Sequence, residues 1–251
     1  MSKTSNNKHV LLMLDHDGTL CNTNENAFES IKSATISASQ IFTKDFTGEN
    51  LDWNLVFSQT VGTTESYYVR VVANIISIPI NQLKLFEERY YTARKNWYQN
   101  MINLNEYVWD TYYPDAEKLL LDTSKQHKIK IIKYLVTGNP QQVINERIPQ
   151  HVRYHFSDTK GNLNGTFGDE GLSRKDLILK TVEKAIKQQD FKPVCNGNRI
   201  ITNAYYIADS KNDLYAGIEA RVRTVWIPSR SLQHLIVENN TQEVKIFKRG
   251  I

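Results

Sequence analysis

A run of five apolar residues that ends in two aspartates constrains this 251-residue chain more than any other feature. The run, Val10 to Leu14, has the length and content of a β-strand that is buried on both faces. Side chains two residues apart on an extended chain point the same way, so Asp15 and Asp17 project together from the strand's end. Two carboxylates held that close repel each other, and the pair therefore requires a cation or a shared proton.

Asp-Gly is also a common turn dipeptide, so an acidic turn without chemical function is the alternative interpretation of this segment. Three later polar segments of the chain favour a functional site, and we call them, together with the Asp15–Asp17 segment, the four polar stations. Each follows a predicted strand or begins a predicted helix, and they read Thr137-Gly138-Asn139, Ser173-Arg174-Lys175-Asp176 and Asp209-Ser210-Lys211-Asn212-Asp213.

Apolar patterning predicts an α/β fold in which strands alternate with helices around a parallel sheet. Helices are predicted to begin at Pro114 and at Asn139-Pro140, to cover 176–189, and to follow Asp213. Ligands of such sheets bind beyond the carboxyl ends of the strands, where the polar stations lie. The predicted strands are 10–14, 129–136, 153–156, 200–208 and 223–227, with a weaker one at 244–248.

Residues 21–113 depart from this alternation. Helical spacing of apolar residues appears near Phe28, from Val69 to Ile76 and from Leu83 to Trp97, which predicts an inserted helical bundle. Thirteen of the chain's 26 aromatic residues fall between Trp53 and Tyr113. We expect most of them to fill the core of this bundle, and some to face a substrate.

Composition excludes several classes of function. The net charge of +4 is mild and no Lys/Arg block is present, which argues against nucleic acid as a partner. No apolar stretch reaches membrane-spanning length, and residues 1–8 lack the apolar core of a signal peptide. Cys21 and Cys195 form no disulfide framework and fit a reducing compartment, so a cytoplasmic location is expected.

The four stations together resemble the motifs of the haloacid dehalogenase-like (HAD) hydrolase superfamily, over roughly residues 9–228. The resemblance is closest to the capped branch that holds phosphoglycolate phosphatase and β-phosphoglucomutase. It implies a Rossmann-like core formed by residues 1–20 and 114–251, and a helical cap formed by residues 21–113.

The resemblance also implies roles for the acidic residues. Asp15 would be the nucleophile that forms an aspartyl-phosphate, and Asp17 the general acid and then base. Asp15 and Asp209 would give carboxylate ligands to Mg²⁺, and Asp17 its backbone carbonyl. Asp213 would support the metal site, although Ser210-x-x-Asp213 is also a capping-box pattern that explains Asp213 without a metal.

Phosphate-binding residues follow from the same comparison. Thr137 would donate a hydrogen bond to phosphoryl oxygens, assisted by backbone amides that point out of a helix start. Asn139 has the alternative role of a helix N-cap. One cation should face the phosphate, and Lys175 is favoured over its neighbour Arg174. The implied phosphate-binding set is Gly18, Thr137, Gly138, Asn139, Lys175 and Arg174.

Other polar residues have structural explanations. His16 stands where relatives carry an apolar residue, and its alternation with the two aspartates predicts a hydrogen-bonded core histidine rather than a catalytic one. Arg70, Arg89 and Arg94 of the predicted cap are expected on the solvated surface, although contact with substrate is the alternative.

The sequence therefore predicts a Mg²⁺-dependent phosphatase that acts on a small phosphorylated metabolite. A phosphomutase would use the same acids and return the phosphoryl group to a second hydroxyl. A phosphonate hydrolase would need a cap lysine near the site, for which Lys32, Lys44, Lys84 and Lys95 are available. A binding protein without catalysis is the alternative from a different class.

Overall fold

The structure is a computed structural model built around a seven-stranded sheet with the order β3-β2-β1-β4-β5-β6-β7. It describes residues 8–22, 25–60, 62–107, 110–124, 129–188, 191–227, 233–237 and 244–248. The strands are β1 (Lys8–Leu14), β2 (Ile129–Val136), β3 (Gly165–Thr166), β4 (Ile201–Ala208), β5 (Val222–Trp226), β6 (Gln233–Val237) and β7 (Val244–Lys248).

Strands β1 to β5 run parallel, with β1 in the middle between β2 and β4. β6 and β7 add an antiparallel hairpin to the β5 edge. The register pairs Leu14 with both Leu135 and Ile207, so the residues that follow β1, β2 and β4 emerge at the same edge of the sheet. The predicted α/β class with a parallel sheet is confirmed.

Helices cover both faces of this sheet. This is required because β1 directs apolar side chains alternately to one face and to the other. Leu11 and Met13 pack against helix α8, whereas Leu12 and Leu14 pack on the opposite side with α5 and α6. These helices begin close to the predicted positions. The core helices are α5 (Pro114–Ser124), α6 (Gln141–Arg147), α7 (Gln150–Arg153), α8 (Arg174–Lys187) and α9 (Lys211–Glu219).

The described part of residues 21–113 contains four α-helices, which we call the cap segment. They are α1 (Glu25–Ser39), α2 (Trp53–Thr60), α3 (Glu65–Ile75) and α4 (Leu83–Asn103). Their common core combines aromatic and aliphatic side chains, with Phe86 and Tyr90 fully buried. The helical insertion has the expected character, while the exact domain boundaries at residues 20 and 113 stay a prediction.

One strand prediction was wrong. The interval 153–156 forms the end of α7 and a 3₁₀-helix, Tyr154–Phe156. Pro149 supplies the extended residue before this helix, and Val152 and Phe156, four residues apart, are both buried on its inner side. None of the helices in the described ranges is both long enough and apolar enough to cross a bilayer.

Candidate active site

The polar stations converge at the carboxyl ends of the central strands. Asp15 follows β1 and is 2% exposed, Thr137 follows β2 and is fully buried, and Asp209 follows β4. Because these three strands are adjacent and parallel, their polar ends share one edge of the sheet. This placement agrees with the site expected from the sequence.

Three carboxylates form a compact acidic cluster at this edge. Single oxygen atoms of Asp15, Asp209 and Asp213 all lie within 4.8 Å of one another. Burial raises the pKa of Asp15 well above its usual value, and the acids Asp213 and Asp209 raise it further against the opposing effect of Arg174. Burial and Asp213 likewise raise the pKa of Asp209 to about 6. The cluster is therefore short of positive charge.

Gly18 allows the acidic cluster to form. Its backbone has φ +76°, and a Cβ atom at this position would lie 2.1 Å from Asp209 Oδ2. Any other residue would push the Asp209 carboxylate away from the turn that follows Asp15. We therefore assign Gly18 to the close approach of these two segments.

Asp213 has both features that the sequence left open. The Ser210 hydroxyl accepts a hydrogen bond from the Asp213 amide at 3.0 Å and lies 2.5 Å from Asp213 Oδ2, which makes a helix cap. The same carboxylate accepts a hydrogen bond from the Tyr206 hydroxyl at 2.6 Å. Ser210 and Tyr206 therefore fix the Asp213 side chain, and a carboxylate oxygen of Asp213 belongs to the acidic cluster.

Arg174, and not the favoured Lys175, contacts Asp15. Arg174 Nη1 donates to Asp15 Oδ1 at 3.0 Å and to the Val136 carbonyl at 3.1 Å. Its Nε lies 3.2 Å from Asp213 Oδ1. Consecutive residues on a helix point about 100° apart. Lys175 therefore points outward, with its side chain 43% exposed and its Nζ 3.5 Å from Glu219.

These two neighbours provide a matched pair for mutation. If Asp15 is the nucleophile that the resemblance implies, Arg174→Met should lower kcat/KM for a phosphomonoester by about 100-fold or more, because it removes the buried cation that contacts Asp15. Lys175→Met removes an exposed ion pair and should stay within about threefold of wild type. Steady-state kinetics on both variants, with circular dichroism to check folding, decides between them. A larger loss for Lys175→Met would reverse the assignment.

Asp17 is held by Arg147 and Asn139 rather than directed at open space. Arg147 Nη2 donates to Asp17 Oδ1 at 2.5 Å, and Nη1 donates to Oδ2 at 3.2 Å. Asn139 Nδ2 donates to the same Oδ2 at 2.5 Å. Burial works to raise the pKa of Asp17, but the Arg147 guanidinium and the His16 ring together outweigh it and hold the pKa well below its usual value.

Sequence reasoning missed Arg147 and its second partner, Asp110. Arg147 is 1% exposed, and its Nε donates to Asp110 Oδ2 at 3.0 Å. Arg147 ends the short helix α6, where an arginine usually lies in solvent, and Asp110 belongs to no motif. No local pattern of the sequence distinguishes either residue.

The expectation for Arg94 was also wrong, whereas Arg70 and Arg89 are exposed as expected. Arg94 is fully buried, binds the Glu65 carboxylate through Nη1, and donates from Nη2 to Asn139 Oδ1 at 3.2 Å. A cap-segment arginine therefore contacts the asparagine that holds Asp17.

The loop after β2 is fixed from both sides. Thr137 Oγ1 accepts hydrogen bonds from the Asn139 amide at 3.2 Å and from Asn139 Nδ2 at 3.1 Å. The Gly138 carbonyl accepts one from the Glu65 amide at 2.9 Å, at the start of α3. The N-cap of α6 is Pro140 and not Asn139, so the alternative role for Asn139 was wrong. Its side chain contacts Asp17 instead.

His16 is the core histidine that the sequence predicts. Its ring is fully buried, with Nε2 2.8 Å from the Tyr112 hydroxyl and Nδ1 3.7 Å from Asp17 Oδ1. Cys21 Sγ lies 3.5 Å from His16 Nδ1. These contacts give His16 a structural role in the turn.

The chain shares its fold with solved structures of hydrolases and related proteins, in agreement with the fold that the motifs imply. A comparison with solved structures finds a mutant of CbbY from Rhodobacter sphaeroides, crystallised in complex with xylulose-(1,5)bisphosphate, at a TM-score of 0.55 and 12% identity over 87% of this chain and 85% of that one. A hydrolase from Pseudomonas syringae matches with a TM-score of 0.53 and 15% identity over 88% of this chain and 85% of the other.

A candidate phosphoglycolate phosphatase from Lactobacillus plantarum matches with a TM-score of 0.51 and 16% identity, covering 86% of this chain and 85% of that one. No protein-family model matches the sequence, and no curated protein matches it either. At such low identities the likeness establishes the shared fold.

Proposed function

We propose that the chain is a phosphomonoester hydrolase in which Asp15 is the nucleophile. One observation carries this proposal: the Asp15 carboxylate lies at the end of the central strand, with Arg174 3.0 Å from one oxygen and two further acids within 4.8 Å. A carboxylate between a fixed guanidinium and a cation site is suited to attack a phosphorus centre. The phosphoryl oxygens would lie against Arg174 and the Thr137 loop.

The acidic cluster fits a hard divalent cation. Arg174 offsets only one of the negative charges of Asp15, Asp209 and Asp213, and Mg²⁺ prefers a small number of carboxylate oxygens. Asp15 and Asp209 would hold the ion, with the Asp17 backbone carbonyl as the ligand implied by the resemblance. Bound there, Mg²⁺ would neutralise the acids and orient the phosphoryl group.

Proton transfer falls to Asp17. As general acid it would protonate the leaving oxygen, and as base it would then accept a proton from the water that hydrolyses the aspartyl-phosphate. The ion pair with Arg147 favours the ionised form, which is ready for the second step. For the first step, Asp17 must turn away from Arg147 or act on a leaving group that needs little protonation.

The described residues give less support to the alternatives. No lysine lies among the described residues of the cavity that adjoins Arg174, which disfavours a phosphonate hydrolase that needs an imine-forming lysine. Lys32 instead pairs with Glu29 at 3.0 Å on the surface. A phosphomutase shares the catalytic acids, and bisphosphate-primed isomerisation with little phosphate release would identify it. The cytoplasmic location expected from the sequence stays a prediction.

Metal dependence tests the proposal directly. We expect phosphate release from a panel of phosphomonoesters to stop in EDTA and to return with Mg²⁺. Asp209→Asn should weaken Mg²⁺ binding on the order of 100-fold, because it removes one carboxylate ligand. Asp122→Asn, at an exposed position on α5, is the matched control.

Two measurements separate binding from turnover. Titration calorimetry gives the Mg²⁺ affinity, and the Mg²⁺-dependent rise in melting temperature reports the same binding without substrate. Equal Mg²⁺ affinity in Asp209→Asn and Asp122→Asn would remove the metal site from this cluster, whatever the activity.

A further inference from the structure

A small cavity lies between the cap segment and the core, beside the proposed nucleophile. Its volume is about 150 Å³, and its core side is formed by Gly138, Asn139 and Arg174. Arg174 contacts Asp15 and Asn139 contacts Asp17, so a single lining residue connects the cavity to each group of the proposed reaction. A leaving group that extends past Arg174 toward the cap segment would enter this cavity.

The cap side of this cavity is an apolar and aromatic wall. Phe57 contacts three other rings, with its centroid 5.2 Å from that of Phe28, 5.9 Å from that of Trp53 and 6.5 Å from that of Tyr68. Ile31 completes the wall. The planes of Phe57 and Tyr68 are inclined by only 18°, so the two rings stack and together form an aromatic part of the cavity wall.

The hydroxyl groups on this wall are already committed to the protein. Thr60 Oγ1 donates to the Val56 carbonyl at 2.9 Å, and Thr63 Oγ1 donates to the Thr60 carbonyl at 2.6 Å. Thr64 Oγ1 accepts from the Tyr67 amide at 3.3 Å as the cap of α3. Each of these threonine hydroxyls already makes a hydrogen bond within the protein, which reduces its tendency to bind a ligand.

Charge is almost absent from the cap side. Among the described lining residues, the cap segment contributes no lysine or arginine, and its one acid is Glu65. The Glu65 carboxylate is neutralised by buried Arg94 and accepts a hydrogen bond from the Tyr90 hydroxyl at 2.5 Å. An anionic leaving group would find no cap cation here, and a cationic one would compete with Arg94 for Glu65.

We propose that the substrates are monophosphate esters of an uncharged alcohol about the size of one six-membered ring, with an apolar face that packs on Phe57. This inference rests on the proposed phosphatase function. A cavity of about 150 Å³ with an apolar wall on the cap side has room for a molecule the size of benzene. A nucleoside is larger, and a second phosphate or a carboxylate would lose its hydration without gaining a cation from the cap side of the cavity.

A matched substrate panel tests this selectivity. Phenyl phosphate and cyclohexyl phosphate carry neutral rings, phosphoglycolate and glucose 1,6-bisphosphate carry a second anion, phosphoethanolamine carries a cation, and a nucleoside monophosphate exceeds the cavity. We expect kcat/KM for the neutral rings to exceed that for each other substrate by at least about tenfold. Equal or higher kcat/KM for any charged substrate or for the nucleotide overturns the inference.

Two phenylalanine variants separate the cavity wall from the cap core. Phe57→Ala should lower kcat/KM for phenyl phosphate about tenfold or more, while activity on acetyl phosphate, which does not reach the wall, changes little. Phe42→Ala removes an aromatic ring that packs on Phe86 in the cap core without lining the cavity. Similar losses on both substrates in both variants would show a general effect on folding and contradict the assignment of Phe57.

A charge introduced at the wall gives the opposite test. Phe28 lines the cavity yet is 44% exposed, so Phe28→Lys should fold and place a cation on the cap side. It should raise the ratio of kcat/KM for phosphoglycolate to that for phenyl phosphate at least about tenfold. Phe28→Met, which is uncharged, should leave this ratio unchanged. No change in the lysine variant would contradict the proposed wall.

Binding measurements keep the inference separate from the proposed function. Calorimetry on Asp15→Asn with Mg²⁺ compares phenyl phosphate with phosphoglycolate when no turnover occurs. Tighter binding of phenyl phosphate without any hydrolysis by wild type would contradict the proposed phosphatase function and support the cavity assignment. Hydrolysis by wild type together with tighter binding of phosphoglycolate would support the phosphatase and contradict the cavity assignment.

Discussion

Asp15→Asn should reduce phosphate release from every substrate by about 10⁴-fold or more, because it removes the atom that attacks phosphorus. The amide keeps the size of the carboxylate, so the cavity and the strand end should remain intact. Phosphate release measured in a continuous assay gives the loss, and mass spectrometry of trapped wild type should show one phosphoryl group on the peptide that contains Asp15. Activity within tenfold of wild type would exclude Asp15 as the nucleophile.

The same variant should not be less stable than wild type. Burial and the neighbouring acids raise the pKa of Asp15, so its ionised form is disfavoured in the folded protein without metal. A neutral side chain relieves this repulsion, although it weakens the contact with Arg174. We expect the melting temperature in EDTA to be equal to or above that of wild type. Asp45→Asn, at an exposed position, controls for the loss of one surface charge.

The sequence predicts the strand-borne part of the site because each polar group follows a recognisable buried strand. The register of β1 with β2 and β4 brings Asp15, Thr137 and Asp209 together without any information beyond strand order. The sequence could not decide between Arg174 and Lys175, because the choice depends on how helix α8 is rotated about its axis against the sheet. Leu177 and Ile178, both fully buried, set this rotation and direct Arg174 inward.

Contacts between distant segments could not be predicted in the same way. Arg94, Glu65 and Asn139 come from a cap helix, a second cap helix and a core loop, and no short spacing links them. The strand prediction for 153–156 was wrong for a local reason, because the apolar residues of so short a segment suit either a strand or a short helix. In the structure Val152 and Phe156, four residues apart, are both buried, which is the spacing of a helix. Strand β3 has only two residues, which is too short for a periodic signal.

The buried ion pairs of Arg147 make it the position with the largest expected effect on stability. Arg147 neutralises Asp17 and Asp110 together, through contacts of 2.5 Å and 3.0 Å, with its own side chain 1% exposed. Arg147→Met keeps much of the side-chain volume but removes the buried cation that Asp17 and Asp110 share. Removing one member of such a network costs about 3–5 kcal/mol. For a chain of this length, we expect a fall in melting temperature of about 10 °C.

Urea unfolding followed by circular dichroism measures this loss, and a second substitution shows its cause. If uncompensated charge is responsible, Asp110→Asn added to Arg147→Met should recover more than about 1 kcal/mol, whereas Asp110→Asn alone should destabilise the protein. Arg70→Met, on the exposed face of α3, should change stability by less than about 0.5 kcal/mol. An Arg147→Met loss as small as that of Arg70→Met would mean that water reaches Asp17 and Asp110. The buried charge network would then contribute little to the fold, and Asp17 would be free to take up a proton for the first step of the proposed reaction.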